Sequence, residues 1–263
     1  MDLTESHDTF EDFARYYDPI MREIDYDRWL VIATYVADLI PTRDFRHVDI
    51  GCGTGKLTKK LIQHGWNSVG VDLSLPMLQT ARRGGVAPGV VSADMRALPF
   101  KRQFEYATCL FDSLNFMLST EDLNRAVQEI AQATTDDGLF YFDLITERMV
   151  LDHFANRKWT EDNGRFSTTW EGRYDPETRV ATTQIEVHGG PIVCIRERAH
   201  TLEEVERALR GAGYTLLGMF DAETWRKPAR KTIRIDVIAT KAATKSLRKK
   251  LRTTADQIAS VLA

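Results

Sequence analysis

Val48-Asp-Ile-Gly-Cys-Gly-Thr-Gly-Lys-Leu-Thr58 is the stretch on which the reading of this chain turns. It opens as an apolar strand, Phe45 to Ile50, and breaks into glycines at Gly51, Gly53 and Gly55. A helical pattern follows, with Leu57, Leu61 and Ile62 on one face. Strand, glycine turn and helix in that order form a nucleotide-binding entry. Glycine lets the backbone turn sharply and approach a ligand with no Cβ in the way, and the helix start turns its free N–H groups toward that ligand.

Spacing decides among three loops. A dinucleotide fingerprint, G-x-G-x-x-G/A, would need Gly or Ala at Lys56 or Thr58. A phosphate-cradling loop, G-x-x-x-x-G-K-[ST], would need glycine at Ile50 and a hydroxyl at Leu57. What remains is Asp49-x-Gly-x-Gly-x-Gly55, with an acid at the strand's end. An acid there suits a ligand carrying positive charge and hydroxyls, and repels a pyrophosphate.

On these residues the chain resembles the class I S-adenosylmethionine (SAM) dependent methyltransferases, and the later motifs agree in order and spacing. Val69-Gly-Val-Asp72 reads as a second strand ending in an acid about 20 residues after the turn, the distance of a ribose-binding carboxylate. Ser92-Ala-Asp94-Met95 resembles the family's adenine-side motif, and Phe104 to Leu110 its fourth strand. The likeness covers roughly residues 10 to 145. Within the family, Tyr16-Tyr-Asp-Pro-Ile20 and Tyr26-Asp-Arg-Trp29 resemble the N-terminal cap of small bacterial methyltransferases that include aminosugar N-methyltransferases. The resemblance implies SAM as cofactor. It assigns Asp49, Gly51, Gly53 and Gly55 to the loop, Asp72 and Leu73 to the ribose side, and Asp94 and Met95 to the adenine edge. Leu110 and Phe111 become pocket walls, and Tyr17 and Tyr26 a cover over the methionine end, where aromatic faces attract the sulfonium cation.

Composition sets bounds. The 263 residues allow one large or two small domains, and 43% hydrophobic with 28% charged residues is ordinary for a globular protein. A net charge of −3 gives no global field for nucleic acid. The basic residues gather at the end: Lys245, Arg248, Lys249, Lys250 and Arg252 stand against Asp256. Cys52, Cys109 and Cys194 are far apart, so neither a zinc site nor a disulfide framework is expected. Met1-Asp-Leu-Thr-Glu is acidic and unlike a signal peptide, and no window approaches a membrane span. A cytoplasmic enzyme without metal is the expectation.

Two helical stretches are expected over residues 8–40, the first spaced by Phe10, Phe13, Ala14 and Tyr17 and interrupted at Pro19. Strands are expected near 45–50, 67–72, 89–92, 104–110 and 138–143, alternating with helices, one capped by Ser74 and another running from Ser119 to Thr135 with Asp122 in a near capping box. Asp136-Asp-Gly138 reads as a turn and Ile145 to Ala155 as a helix. Arg165 to Trp170, Glu171 to Tyr174, Arg179 to Val187 and Ile192 to His200 read as an antiparallel insertion of three strands. Trp159, Trp170, Arg196, Arg198 and His200 are its distinctive side chains. Thr201-Leu-Glu-Glu204 is a capping box, and Tyr214–Phe220 with Thr232–Thr240 a closing antiparallel pair.

The fold class is therefore α/β: a Rossmann-like, mostly parallel sheet with helices on both faces, a helical cap and a small antiparallel insertion. The division reads 1–44 cap, 45–155 and 201–243 core, 156–200 insertion and 244–263 basic helix or tail. That last segment either docks, binds a partner or lies solvated. Chemistry in such a fold sits beyond the strands' carboxyl ends, at Cys109-Leu-Phe-Asp-Ser-Leu-Asn115. Cys109 belongs to the strand. Asp112 and Asn115 either contact the acceptor or cap the turn, and Tyr17 is a third catalytic candidate. The Asn/Asp-Pro-Pro-aromatic motif usual in nucleic-acid amino methyltransferases is not there. The expectation is methyl transfer to a nitrogen or oxygen of a small molecule. The alternatives are an RNA or protein methyltransferase recruited by the basic tail, and a SAM-binding regulator without turnover.

Overall fold

The computed structural model describes residues 13–86 and 89–263; Phe10 and the acidic N-terminal stretch lie outside them. In chain order come α1 (Ala14–Ile20), α2 (Tyr26–Ala37), β1 (Arg46–Ile50), α3 (Lys56–Gln63), β2 (Asn67–Asp72), α4 (Leu75–Arg83), β3 (Val90–Ser92), β4 (Phe104–Cys109), α5 (Thr120–Ala133), β5 (Thr134–Ile145) and α6 (Glu147–Met149). Four strands follow, β6 (Lys158–Asp162), β7 (Ser167–Asp175), β8 (Val180–Val187) and β9 (Ile192–Arg198), then α7 (Leu202–Gly211), β10 (Thr215–Asp221), β11 (Arg234–Thr240) and α8 (Lys245–Val261).

Seven strands form one sheet in the order β10-β11-β5-β4-β1-β2-β3. β1 lies parallel between β2 and β4, while β11 and β10 run antiparallel at the far edge. Period-two alternation divides β5 between two cores. Phe140 and Phe142 pack with α5 and α7; Leu139 and Tyr141 pack with α2, α3 and α8. These are the helices-on-both-faces layers that the alternation of strand and helix predicts.

Most local signals are obeyed, although Ser74 stands at the N-cap of α4 without a side-chain capping bond to the helix. Ser119 accepts from the Asp122 N–H at 3.0 Å, and the Thr201–Glu204 box is closed in both directions. Several expectations need correction. Asp136-Asp-Gly138 is not a turn between elements but an irregularity within β5, where the register with β4 jumps. The helix expected from Ile145 is only α6 and one π turn, Val150–Phe154, because β11 keeps β5 paired as far as Ile145. The insertion has four strands: the two segments expected on either side of Trp170 are one continuous β7, and β6 pairs beside it.

The expected cap parts into two. α2 joins the sheet core through Ile32, Ala33 and Val36. α1 instead shares a separate core with the insertion, where Phe13 and Ile20 meet Trp170, Ile185, Val187 and Val193. The C-terminal segment docks: Leu251, Ala255 and Ile258 are buried in the second core and its basic side chains face outward. Leu251→Ala should cost about 2–5 kcal/mol of stability, read from denaturant unfolding; a loss under 0.5 kcal/mol would mean that α8 does not pack there in solution.

Beneath α2 and α8, Asp236 is fully buried. Trp225 Nε1 donates to one carboxyl oxygen at 2.6 Å, and the Tyr141 hydroxyl lies beside the carboxyl as its other polar neighbour. Burial, then Asp143, pushes the Asp236 carboxyl up to about 8. The folded group keeps its proton up to about pH 8, whereas an unfolded Asp releases it near 4. It therefore makes the fold less stable as pH rises through that window. Asp236→Asn, which cannot ionise, should lose less thermal stability than the wild type between about pH 5 and pH 8. Parallel pH profiles of the two proteins would contradict this.

Candidate active site

The site begins at the carboxyl end of β1. Gly51, Gly53 and Gly55 all take left-handed backbone angles, φ +74°, +54° and +72°, a region that L side chains adopt at a cost. Their reasons differ. A Cβ on Gly51 would stand 2.7 Å from Ser113 Cβ, and one on Gly55 would stand 3.0 Å from both Ala81 and Val86. A Cβ on Gly53 would meet nothing within 4 Å. Packing thus requires the outer two, and the middle one faces open space at the loop's tip.

Asp49 does not face that space. Thr58 Oγ1 donates to one of its oxygens at 2.6 Å and Thr108 Oγ1 to the other at 2.8 Å. His47 continues the chain, with Nε2 3.0 Å from Thr108 Oγ1 and Nδ1 3.1 Å from Ser68 Oγ. Burial lowers His47 to about 3, so the ring is neutral. Since Thr108 gives its proton to Asp49, Nε2 is the N–H and Nδ1 accepts from Ser68. Burial raises Asp49 to about 6 despite its two donors. Asp49 braces β1, β4 and α3 around the loop; its service to a ligand is indirect.

Asp72 is at the loop's mouth. The Gly53 N–H donates to its Oδ2 and the Ser74 N–H to its Oδ1, both at 2.8 Å. Beside it Leu73 is 66% exposed and Leu75 50%, an apolar step next to the carboxylate. Asp94 is gripped by Arg96, whose Nη2 donates at 2.7 Å and whose Nη1 reaches Asp122 at 2.8 Å. Those bonds hold the Asp94 carboxyl below its usual range. Met95 packs at the rim of the first core, its Cε 4.0 Å from where a Gly51 Cβ would stand. Leu110 is buried in the second core and offers almost no surface to a ligand, which leaves the half-buried Phe111 as the more accessible member of the expected wall.

α1 closes over this loop. Thr54 Oγ1 donates to Asp18 at 2.6 Å, and Lys56 Nζ reaches the Asp18 carbonyl at 3.3 Å and lies 5.4 Å from the Tyr26 ring centroid. Burial first, then Tyr26, Asp112, Asp72 and Asp18, pushes the Tyr17 hydroxyl well up. Tyr17 therefore stays a neutral phenol lying among the charges of both Asp72 and Asp112. It can donate a hydrogen bond but cannot serve as a base near neutrality.

Beyond β4 the backbone is strained. Phe111 and Asp112 are consecutive non-glycine residues at φ +61° and +54°, a state of about 1–3 kcal/mol each that packing must hold. It is held by Arg234, which was not foreseen: Nη2 donates to Asp112 at 2.7 Å and Nη1 to the fully buried Asp143. The Asp112 N–H donates to Asp143 at 3.1 Å, and the guanidinium lies 5.5 Å from the Phe111 ring centroid. Burial raises Asp143, with Arg234 opposing. The signal was there to read: Asp143 and Arg234 are charges inside apolar strands. Asn115 has a different task from the one expected. It is wholly buried, donating to the carbonyls of Ile145 at 3.3 Å and Arg198 at 2.8 Å and accepting from the Ile145 N–H at 3.1 Å. It is a clasp joining β5 and β9, with no group left for an acceptor. Cys109 is buried in the first core, and in the insertion Trp159 and Trp170 stack at 5.5 Å while Arg198 pairs with Glu204 at 2.7 Å.

Comparison with known proteins agrees with this geometry. A family model described as a methyltransferase domain matches residues 48–138. A provisionally named methyltransferase of Geobacillus sp. (strain WCH70) is 30% identical over 168 residues, 62% of this chain and 68% of that one. This chain belongs to the SAM-dependent methyltransferase family. The dTDP-3-amino-3,6-dideoxy-alpha-D-glucopyranose N,N-dimethyltransferase of Streptomyces fradiae is 28% identical over 181 residues, 64% of this chain and 69% of that one. A SAM-dependent methyltransferase from Clostridium acetobutylicum shares the fold at a TM-score of 0.76 and 24% identity, covering 89% of this chain and 99% of that one. No helix among the described residues is long and apolar enough to cross a membrane.

The methyltransferase's own residues fit its cofactor. The Gly53 tip is a cradle that a side chain would fill, Asp72 stands at its mouth, and an apolar step adjoins it. Gly53→Ala should cost about 1–2 kcal/mol of stability, the left-handed penalty, yet weaken SAM binding about tenfold or more. Calorimetric titration beside a thermal melt separates the two effects. Unchanged affinity would refute the cradle.

Proposed function

We propose that this methyltransferase acts on a nitrogen or oxygen of a small molecule, with Asp72 and the Gly51–Gly55 loop holding SAM beneath α1. Gly51 and Gly55 shape the loop, and Gly53 admits the ligand. Asp72 and Leu73 serve the ribose side, Asp94 and Met95 the adenine edge, and Phe111, Tyr17 and Tyr26 the methionine end. The observation that carries the reading is the roof: α1 and the antiparallel sheet share one core, and Tyr17 lies under the influence of both Asp72 and Asp112. A roofed site suits an acceptor of metabolite size better than a polymer. The named substrate of the Streptomyces fradiae relative, an amino sugar, supports the same size class.

SAM brings a methyl that is electrophilic before any residue acts on it. The chain's task is then orientation: aligning acceptor and donor supplies most of the rate such a site can give. Asp112, fixed by Arg234 and the strained turn, and the neutral Tyr17 phenol are suited to that positioning. The recruited-arm reading draws less support, because Leu251 and Ile258 make α8 a brace of the fold. A regulator without turnover would not need the charged cluster at the strand ends.

Incubation with methyl-labelled SAM and a fractionated cell extract tests the reading. Label should enter a small-molecule fraction, and Asp72→Ala should lower transfer at least about 100-fold through loss of a charged hydrogen-bonding partner. Label in a nuclease- or protease-sensitive fraction would overturn it.

A further inference from the structure

β9 lays one unexpected side chain toward this site. Val193, Ile195 and Ala199 of its alternating row are apolar and pack into the cores of the roof. Their cross-strand neighbours on β8 are the buried Ile185 and Thr183. Glu197 interrupts that row, opposite the buried Ala181. A carboxyl on an apolar face is a departure from patterning of the kind that marks functional positions.

Glu197 is fixed in place. Asn115 donates to the carbonyl of the next residue, Arg198, and so ties β9 to the turn after β4. Arg198 itself is engaged elsewhere, with His200 Nδ1 at 2.8 Å and Glu204 at 2.7 Å. The Glu197 side chain is half-buried, and the charged groups acting on it are Asp112 after β4, Asp143 on β5 and Arg234 on β11. Arg234 already bridges Asp112 and Asp143. Three carboxyls therefore share one guanidinium, and among the described residues Glu197 makes no side-chain hydrogen bond or ion pair. Burial, then Asp112 and Asp143, pushes its carboxyl well above the usual range, with Arg234 opposing. That is a half-buried acid with no cation of its own, adjoining the residues proposed to position the acceptor.

We propose that Glu197 is a catalytic residue, pairing with the acceptor's protonated amine and taking its proton, so that the substrate class is an amine-bearing small molecule. In that step the N–H bond breaks with its electron pair left on nitrogen, and the proton forms an O–H bond on Glu197. The nitrogen lone pair is then available for methylation, and Glu197 later releases the proton to solvent. As the ammonium docks it lowers the carboxyl, which releases its own proton to solvent and becomes the carboxylate that pairs with the amine; burial of that carboxylate then favours its taking the amine's proton. The amine's arrival supplies the positive charge that the cluster lacks. Tyr17, a neutral phenol near Asp112, cannot supply this base.

The proposal rests on the small-molecule reading, and its test separates the two. Label transfer from SAM is measured with a small-molecule extract, untreated or acetylated at its amines with sulfo-NHS acetate, alongside SAM affinity by calorimetry and a pH profile. The wild type should label the untreated extract and not the acetylated one. Glu197→Gln should bind SAM within twofold of wild type, transfer label at least about 100-fold more slowly, and move the midpoint of the acidic limb upward by at least about one pH unit, toward the titration of the free amine. Should that variant fail to fold, Glu197→Asp, which keeps the acid, must hold the midpoint within about one pH unit of wild type. Equal labelling of the acetylated extract, full activity of Glu197→Gln, or an acidic limb unmoved in it would overturn the proposal while leaving small-molecule methylation intact. Wild type that labels no small molecule would overturn both.

Discussion

A carboxylate removed from water must find its donors in the protein, and Asp49 finds them in two threonines that belong to different elements. Thr58 comes from the helix after the glycine turn and Thr108 from the neighbouring strand. The bonds fix β1, β4 and α3 around the glycine loop, and His47 extends the lattice to β2 through Ser68. Three left-handed glycines within five residues would otherwise be a soft hinge. Clamped in this way they form a rigid rim with Asp72 tied to it by the Gly53 N–H. Each buried polar group in the lattice is satisfied by another, so losing one would strand its neighbours.

The same logic, with charges in place of hydroxyls, operates at the other end of the site. The strained Phe111–Asp112 backbone persists because Arg234 grips Asp112 and Asp143 together. Between these two anchors lies the floor on which cofactor and acceptor would meet in the proposed function. The roof is built separately: α1 leaves the sheet core and packs on the inserted strands through Phe13, Trp170 and Ile185. Its connections to the floor include the bonds of Thr54 with Asp18 and Asn115 with Arg198, and the apolar packing of Ala181 and Ala199 with Ile145. That arrangement gives the roof a core of its own above a floor already braced by α2 and α8.

What could be read from sequence was what is local. The glycine turn, the acid ending β2, the capping boxes and the alternating strands all announce themselves within a few residues, because backbone conformation and burial period are set there. Arg234 could not be assigned its role, since it meets Asp112 across 122 residues and Asp143 across 91. Asn115 looked like a site residue because it follows β4, and only the approach of β9 and β5 makes it a clasp. α8 offered the same amphipathic pattern to three readings, and only the second core says that it docks. β6 was missed for want of apolar alternation: it is an edge strand with little buried surface, so its sequence carries almost no burial signal. Leu110 was assigned to the pocket by resemblance, whereas its side chain is buried in the second core.

The central claim is that SAM lies in the glycine rim beneath α1. Hydrogen–deuterium exchange with and without SAM tests it most directly, because it reports backbone protection residue by residue and needs no acceptor. The account predicts slowed exchange across Gly51–Gly55 and Asp72–Ser74 together with Ala14–Ile20, and little change in α5 and α7 behind the sheet. Protection confined to regions away from the rim, or absent from both the rim and α1 while SAM is bound, would contradict it.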